Sequence, residues 1–198
     1  MPDLWTIERE QFARGVQPIC GVDEAGAGPL VGRVYAAAVI LPEGWEHPWL
    51  GDSKKVTEKR REVLFEEIVQ QAVSWSVAWA SEQEIDEINI LNARMLAMRR
   101  AMEGLSVKPA LALVDGNRSP GGEIPVVTVV KGDGKSASIA AASILAKVSR
   151  DRYMVDLAKE YPQYAFEKHK GYGTKLHYER LREYGPSRVH RRTFLKNL

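Results

Sequence analysis

Cysteine is nearly absent: Cys20 stands alone among 198 residues, which excludes an internal disulfide. Its place in an apolar run marks it as a buried structural thiol rather than a nucleophile. Long hydrophobic runs are also missing, and none approaches the roughly 18 residues that a membrane span requires. The start, Met1-Pro2-Asp3-Leu4-Trp5, has neither the basic opening nor the continuous apolar stretch of a secretory signal, so the cytoplasm is the expected compartment. There is no Gly-x-x-x-x-Gly-Lys-Ser/Thr. Gly26-Ala27-Gly28-Pro29-Leu30-Val31 lacks the third small residue of a dinucleotide fingerprint and sets Pro29 where a phosphate-binding helix should begin. The four histidines, His47, His169, His177 and His190, show no His-x-x-x-His spacing, and with one cysteine a zinc site is not expected. His169 or His190 could touch a phosphate, but a surface histidine is the commoner case. No internal repeat or low-complexity linker interrupts a chain long enough to bury a sizeable core.

What is present is unevenly distributed. Net charge is only +2, yet from Tyr164 onward nine Lys or Arg face three Glu, a balance of +6 that leaves −4 for the remainder. A basic segment that also carries Tyr172, Tyr178 and Phe194 suits phosphate contacts with aromatic stacking alongside, although a solvated helix face has the same composition. Periodicity predicts strands over 19–23 and 31–41, separated by a Gly/Pro turn, and a helix capped by Thr57 with Val63, Leu64, Ile68 and Ala72 on its apolar side. A third strand over 73–80 follows. Ser81-x-x-Glu84 is a capping box for a helix that ends at Gly104. Short strands over 111–114 and 126–130 come next, then a turn at Lys131-Gly132-Asp133-Gly134 and a long helix through Ala140, Ala141, Ala142 and Ile144. A last helix fits between Thr174 and Gly185. The expected fold is α/β: a mixed sheet flanked by helices, with a helical C-terminal segment.

In open sheets of this kind ligands gather beyond the carboxyl ends of parallel strands. Asp23-Glu24 ends the first strand and Asp115 ends a later one. If those strands are parallel neighbours, three carboxylates converge at one edge, and Asp133 can join them after the next strand. Converged carboxylates repel one another unless cations intervene. Mg²⁺ and Mn²⁺ prefer oxygen ligands, and a pair of them can activate water in phosphoryl transfer. Each of these short segments also makes a good turn whatever its chemistry. Their joint position at strand ends, with a basic aromatic tail, is what favours a metal cradle.

Several blocks in order, Gly21-Val22-Asp23-Glu24-Ala25-Gly26-Ala27-Gly28-Pro29-Leu30-Val31-Gly32, Asp52-Ser53-Lys54-Lys55, Val114-Asp115-Gly116-Asn117, Val130-Lys131-Gly132-Asp133, Ala141-Ala142-Ser143-Ile144-Leu145-Ala146-Lys147-Val148-Ser149-Arg150-Asp151 and His169-Lys170-Gly171-Tyr172, resemble the successive signatures of bacterial ribonuclease HII, a type 2 ribonuclease H. The match spans nearly the whole chain. The resemblance implies a ribonuclease H-like catalytic domain over residues 1–162 with the basic helical segment, 163–198, packed on it and contributing to substrate binding. It implies four active-site carboxylates, Asp23, Glu24, Asp115 and Asp133, that bind Mn²⁺ or Mg²⁺, two ions during catalysis. Asp151 then reads as structural.

The implied activity is hydrolysis of the ribonucleotide-containing strand of RNA/DNA hybrids and of DNA duplexes with embedded ribonucleotides, cutting 5′ of the ribonucleotide to leave a 3′-hydroxyl and a 5′-phosphate. In this family a Gly-Arg-Gly element reads the 2′-hydroxyl largely through its backbone, and a tyrosine packs beneath the next sugar. Here those positions are Gly26, Ala27, Gly28 and Tyr172, so the arginine is replaced by Ala27. Both glycines still allow close backbone approach, while the lost guanidinium predicts weaker substrate binding. Lys54 and Lys170 are phosphate contacts by resemblance, and Arg191 is one from its place in the tail. A monomer acting alone on duplex is expected. A non-catalytic hybrid-binding module and an integrase-type DNA nuclease on the same fold are the alternatives. The retained acids count against the first, and Tyr172 with the paired glycines against the second.

Overall fold

The computed structural model describes residues 3–51 and 56–196. A short helix α1 (Thr6–Phe12) precedes the strands β1 (Ile19–Ala25) and β2 (Val34–Ile40). Helix α2 (Glu58–Gln71), strand β3 (Ser74–Ala80) and helix α3 (Glu82–Glu103) follow, then β4 (Leu111–Asp115) and β5 (Val126–Val129). A 3₁₀ turn (Gly132–Gly134) leads into the long helix α4 (Ala137–Glu160), and the chain closes with the single turn α5 (Phe166–His169) and α6 (Lys175–Tyr184). The five strands lie in the order β3-β2-β1-β4-β5. The first three form an antiparallel meander, and β4 and β5 run parallel to β1.

Alternation along β2 divides the core. Ala37 and Val39 face α2 and α4, whereas Ala36 and Ala38 face α3. The small residues at Ala140, Ala141 and Ala142 bring α4 against the sheet. At Gly21 on β1 the approach is close enough that a Cβ would collide with the backbone of Ser138. The predicted caps form: Thr57 accepts from Arg60 N–H, Ser81 and Glu84 make the reciprocal capping box, and Thr174 accepts from His177 N–H.

Three expectations need correction. The strand predicted over 31–41 starts at Val34, because Val31 bridges to His190 and Gly32 turns at φ +83°. Helix α1 was not expected before the first strand. It is held by Glu8, whose buried carboxylate accepts from Ser136 Oγ at 2.6 Å and Ser138 N–H at 3.1 Å and so caps α4. The third correction concerns the histidines: His169, His177 and His190 are buried, not superficial.

Hydrogen bonds fix each imidazole. His190 Nδ1 accepts from Ser187 N–H, so Nε2 carries the proton and donates to His177 Nε2 at 3.1 Å, and His177 Nδ1–H donates to the Tyr172 carbonyl at 2.9 Å. His169 accepts from Gly171 N–H and donates to the Tyr164 carbonyl. All three are therefore neutral. Burial lowers their pKa values, to about 4 for His177 and about 3 for His190, where His177 adds to the effect. These folded-state values lie below the ordinary value of 6.5, so between the two the unfolded chain binds protons that the folded one refuses. Stability from the trio is complete above about pH 6.5 and is lost as pH falls toward 4. The melting midpoint is expected to drop on the order of 10 °C between pH 7.5 and 4.5, and to drop less in a His177→Gln variant. A midpoint that stays flat down to pH 5 in thermal melts would contradict the neutral trio.

Candidate active site

The parallel pairing of β1 with β4, in register at Val22↔Val114, carries Asp23 and Asp115 side by side to the same sheet edge, with Glu24 next in line. Asp23 is 7% exposed. Burial, then the charges of Glu24 and Asp115, raise its pKa well above the usual carboxylate range, against the pull of the Glu24 N–H donated to its Oδ1 at 2.7 Å and of the Ser143 hydroxyl. Burial likewise raises Glu24, which is offset by an ion pair with Arg94. Glu24 Oε2 is buried without a hydrogen-bond partner. Asp115 Oδ1 accepts from Gly132 N–H at 2.6 Å, which ties the end of β4 to the 3₁₀ turn. Asp133 is half-buried in that turn and is not among the principal charges acting on Asp23 or Glu24. Among the described residues no three His, Cys, Asp or Glu side chains are already drawn around one point; Arg94 occupies Glu24 instead.

Beside these carboxylates the chain turns through Gly26, at φ +91°, where a Cβ would strike the Arg150 guanidinium. The ring of Tyr172, 44% exposed, is the nearest neighbour that a Cβ on Gly28 would meet, at 3.6 Å. Leu30 N–H donates to the Gly171 carbonyl at 2.9 Å and so fixes the glycine turn to the tyrosine loop. Lys170, in the left-handed region at φ +51°, stands 3.9 Å from Glu58. Lys54 lies outside the described residues.

Arg191 is not a surface phosphate contact. It is fully buried and donates to the carbonyls of Gly26, Ala27, Pro29, Gly32 and Arg33, at 2.6 to 3.3 Å, so it braces the turn from behind. Burial and the nearby Arg150 lower its pKa. Sequence reasoning also missed Arg94 and Arg150. Arg94 gave no signal on an amphipathic helix. Arg150 did, since Ile139, Ser143, Ala146 and Arg150 fall at successive i+4, i+3 and i+4 steps on the face of α4 that packs inward.

A mixed five-stranded sheet sandwiched by helices, with carboxylates at the ends of adjacent parallel strands, defines a ribonuclease H-like fold. The family model described as ribonuclease HII matches residues 20–197. A ribonuclease HII from Caldicellulosiruptor bescii is 53% identical over 196 residues, covering 99% of this chain and 95% of that one. One from Neisseria meningitidis serogroup B is 58% identical over 175 residues, covering 88% and 90%. Among solved structures, ribonuclease H2 from Pyrococcus horikoshii OT3 superposes with a TM-score of 0.72 at 28% identity, covering 88% of this chain and 92% of that one. The chain belongs to the ribonuclease HII family, and it is an endoribonuclease of the ribonuclease H type. Among the described residues no helix is long and apolar enough to cross a membrane.

Proposed function

We propose that this enzyme cuts the ribonucleotide-containing strand of RNA/DNA hybrids and of DNA duplexes with embedded ribonucleotides, on the 5′ side of the ribonucleotide, leaving a 3′-hydroxyl and a 5′-phosphate. Its role is then ribonucleotide removal from DNA, as a cytoplasmic monomer. One observation carries the reading: an all-oxygen carboxylate set shares a sheet edge with a glycine turn and an exposed tyrosine.

The acids fit a hard divalent cation. The charge of Asp115 raises the proton affinity of both Asp23 and Glu24, Glu24 Oε2 lacks a partner, and no sulfur or imidazole lies in the set. These three, with Asp133 from the adjoining turn, are the residues that would hold Mg²⁺ or Mn²⁺. Two such ions, when bound, supply an activated water and charge stabilisation for phosphoryl transfer. The chain's own contribution is orientation. Main-chain N–H groups hold Asp23 and Asp115, Gly26 and Gly28 let the backbone approach a sugar, and Tyr172 offers a flat face for the next one. Lys54 and Lys170 are assigned to flanking phosphates.

Cleavage of an end-labelled DNA duplex containing one ribonucleotide, with Mg²⁺ or Mn²⁺ and with EDTA, beside an all-DNA control, tests this. Metal-dependent cutting at one position, 5′ of the ribonucleotide, is expected. Equal cutting of the all-DNA control would refute the substrate assignment, and tight hybrid binding without any cutting would identify a binding module.

A further inference from the structure

Helix α3 is broken at Asn89, which stands at φ +66° and whose side-chain oxygen accepts from Asn92 N–H at 3.1 Å. The second half of the helix therefore starts afresh from its own N-cap. Ala93 and Ala97 of this half pack in the same core cluster as Val22 of β1. Arg94, next to Ala93, forms the ion pair with Glu24 through Nη2 and Oε1. That pair is incompletely bonded: Glu24 Oε2 and Arg94 Nε are both buried and have no hydrogen-bond partner among the described residues. Arg100, on the same helix, shows the complete form. Its Nη1 and Nη2 donate to the two oxygens of Glu84 at 2.9 and 2.6 Å, and Nη1 also donates to the Trp79 carbonyl at 3.0 Å.

We infer that Arg94 is a positioning residue that acts as a resident counter-ion: it holds Glu24 while the acid cluster carries no divalent cation, and it must release Glu24 before that carboxylate can serve as a ligand. The inference rests on the reading of Asp23, Glu24 and Asp115 as a cation site. The Glu24 side chain is 11% exposed and lies near the charge of Asp115, so its ionised form is disfavoured unless a positive group stands against it. Arg94 supplies that group from within the chain. With one oxygen and one nitrogen left unbonded, the pair loses fewer hydrogen bonds on opening than Arg100 and Glu84 would. The Arg94 side chain is 32% exposed, so the released guanidinium has water to turn into. Arg94 thus sets a threshold for cation binding, because the apparent affinity of the site falls to the share of molecules in which Glu24 is free.

The test is titration of the full chain, stripped with EDTA and without nucleic acid, with Mn²⁺, reading free Mn²⁺ by electron paramagnetic resonance. Arg94→Met is expected to bind Mn²⁺ about ten-fold more tightly than wild type, although it melts a few degrees lower in EDTA because Glu24 has lost its partner. Arg94→Gln, which keeps a polar side chain, carries the same expectation and stands in if the methionine variant does not fold. Arg94→Lys retains a charge able to make the single contact, and its affinity is expected within about three-fold of wild type. In a Glu24→Gln background, Arg94→Met is expected to change Mn²⁺ affinity by less than about two-fold, since the residue acts through Glu24. A folded neutral variant that binds Mn²⁺ no more tightly than wild type overturns the inference. So does a lysine variant that gains as much as the neutral ones, or a gain that persists in the Glu24→Gln background. Wild-type and variant proteins that all fail to bind Mn²⁺ overturn the cation reading beneath it.

Discussion

Replacing Asp115 with Asn is expected to lower the cleavage rate on the order of a thousand-fold while raising the melting midpoint of the metal-free protein by a few degrees. The amide has the same shape, and its oxygen can still accept from Gly132 N–H, so β4 and the 3₁₀ turn remain joined. What changes is charge. Asp115 acts on both Asp23 and Glu24, whose burial already disfavours ionisation, and removing it relieves that repulsion in the folded state. On the proposed reading the same removal takes a hard oxygen donor from the cation site, and the rate is expected to fall with it. Single-turnover cleavage and thermal melts in EDTA read the two effects separately. A variant that melts lower in EDTA would mean that Asp115 supports the fold by more than the Gly132 bond, and a variant that cleaves normally would remove Asp115 from the site.

Arg191→Met is expected to destabilise the protein by about 4 kcal/mol, or on the order of 10 °C in melting midpoint. The methionine leaves five carbonyls, those of Gly26, Ala27, Pro29, Gly32 and Arg33, without the donors that now serve them. Arg191→Lys should recover little, because an ammonium cannot span carbonyls that the planar guanidinium fork reaches at once. Below the melting range, the salt dependence of duplex binding should be unaltered. A slope reduced by about one in a normally stable variant would instead return Arg191 to the phosphate contacts suggested by its position in the basic tail.

The layout of the sheet was legible because its signals are local. The apolar Val- and Ala-rich run at Val34–Ile40, the caps at Thr57, Ser81 and Thr174, and the stop at Gly185 each act over a few residues. The convergence of Asp23 and Asp115 followed from strand ends plus one assumption, parallel neighbours, which the Val22↔Val114 register satisfies. Contacts that join distant segments were not legible. Nothing near Glu8 indicates that Ser136 will need a cap, and nothing in the spacing of His177 and His190 indicates that their rings will meet. Arg191 was misread for the same reason: composition reports that a tail is basic, but whether one cation faces solvent or a ring of carbonyls depends on a turn 165 residues earlier.

That separation also bears on how the enzyme is made. A growing chain has produced every strand by residue 129, including β1 and β4, whose parallel pairing sets Asp23 beside Asp115. The carbonyls of the Gly26 turn acquire their central donor only when Arg191 has emerged and docked. The strands that carry Asp23 and Asp115 are thus complete in the chain well before the residue that braces the Gly26 turn, so order of synthesis separates the two parts of the candidate site.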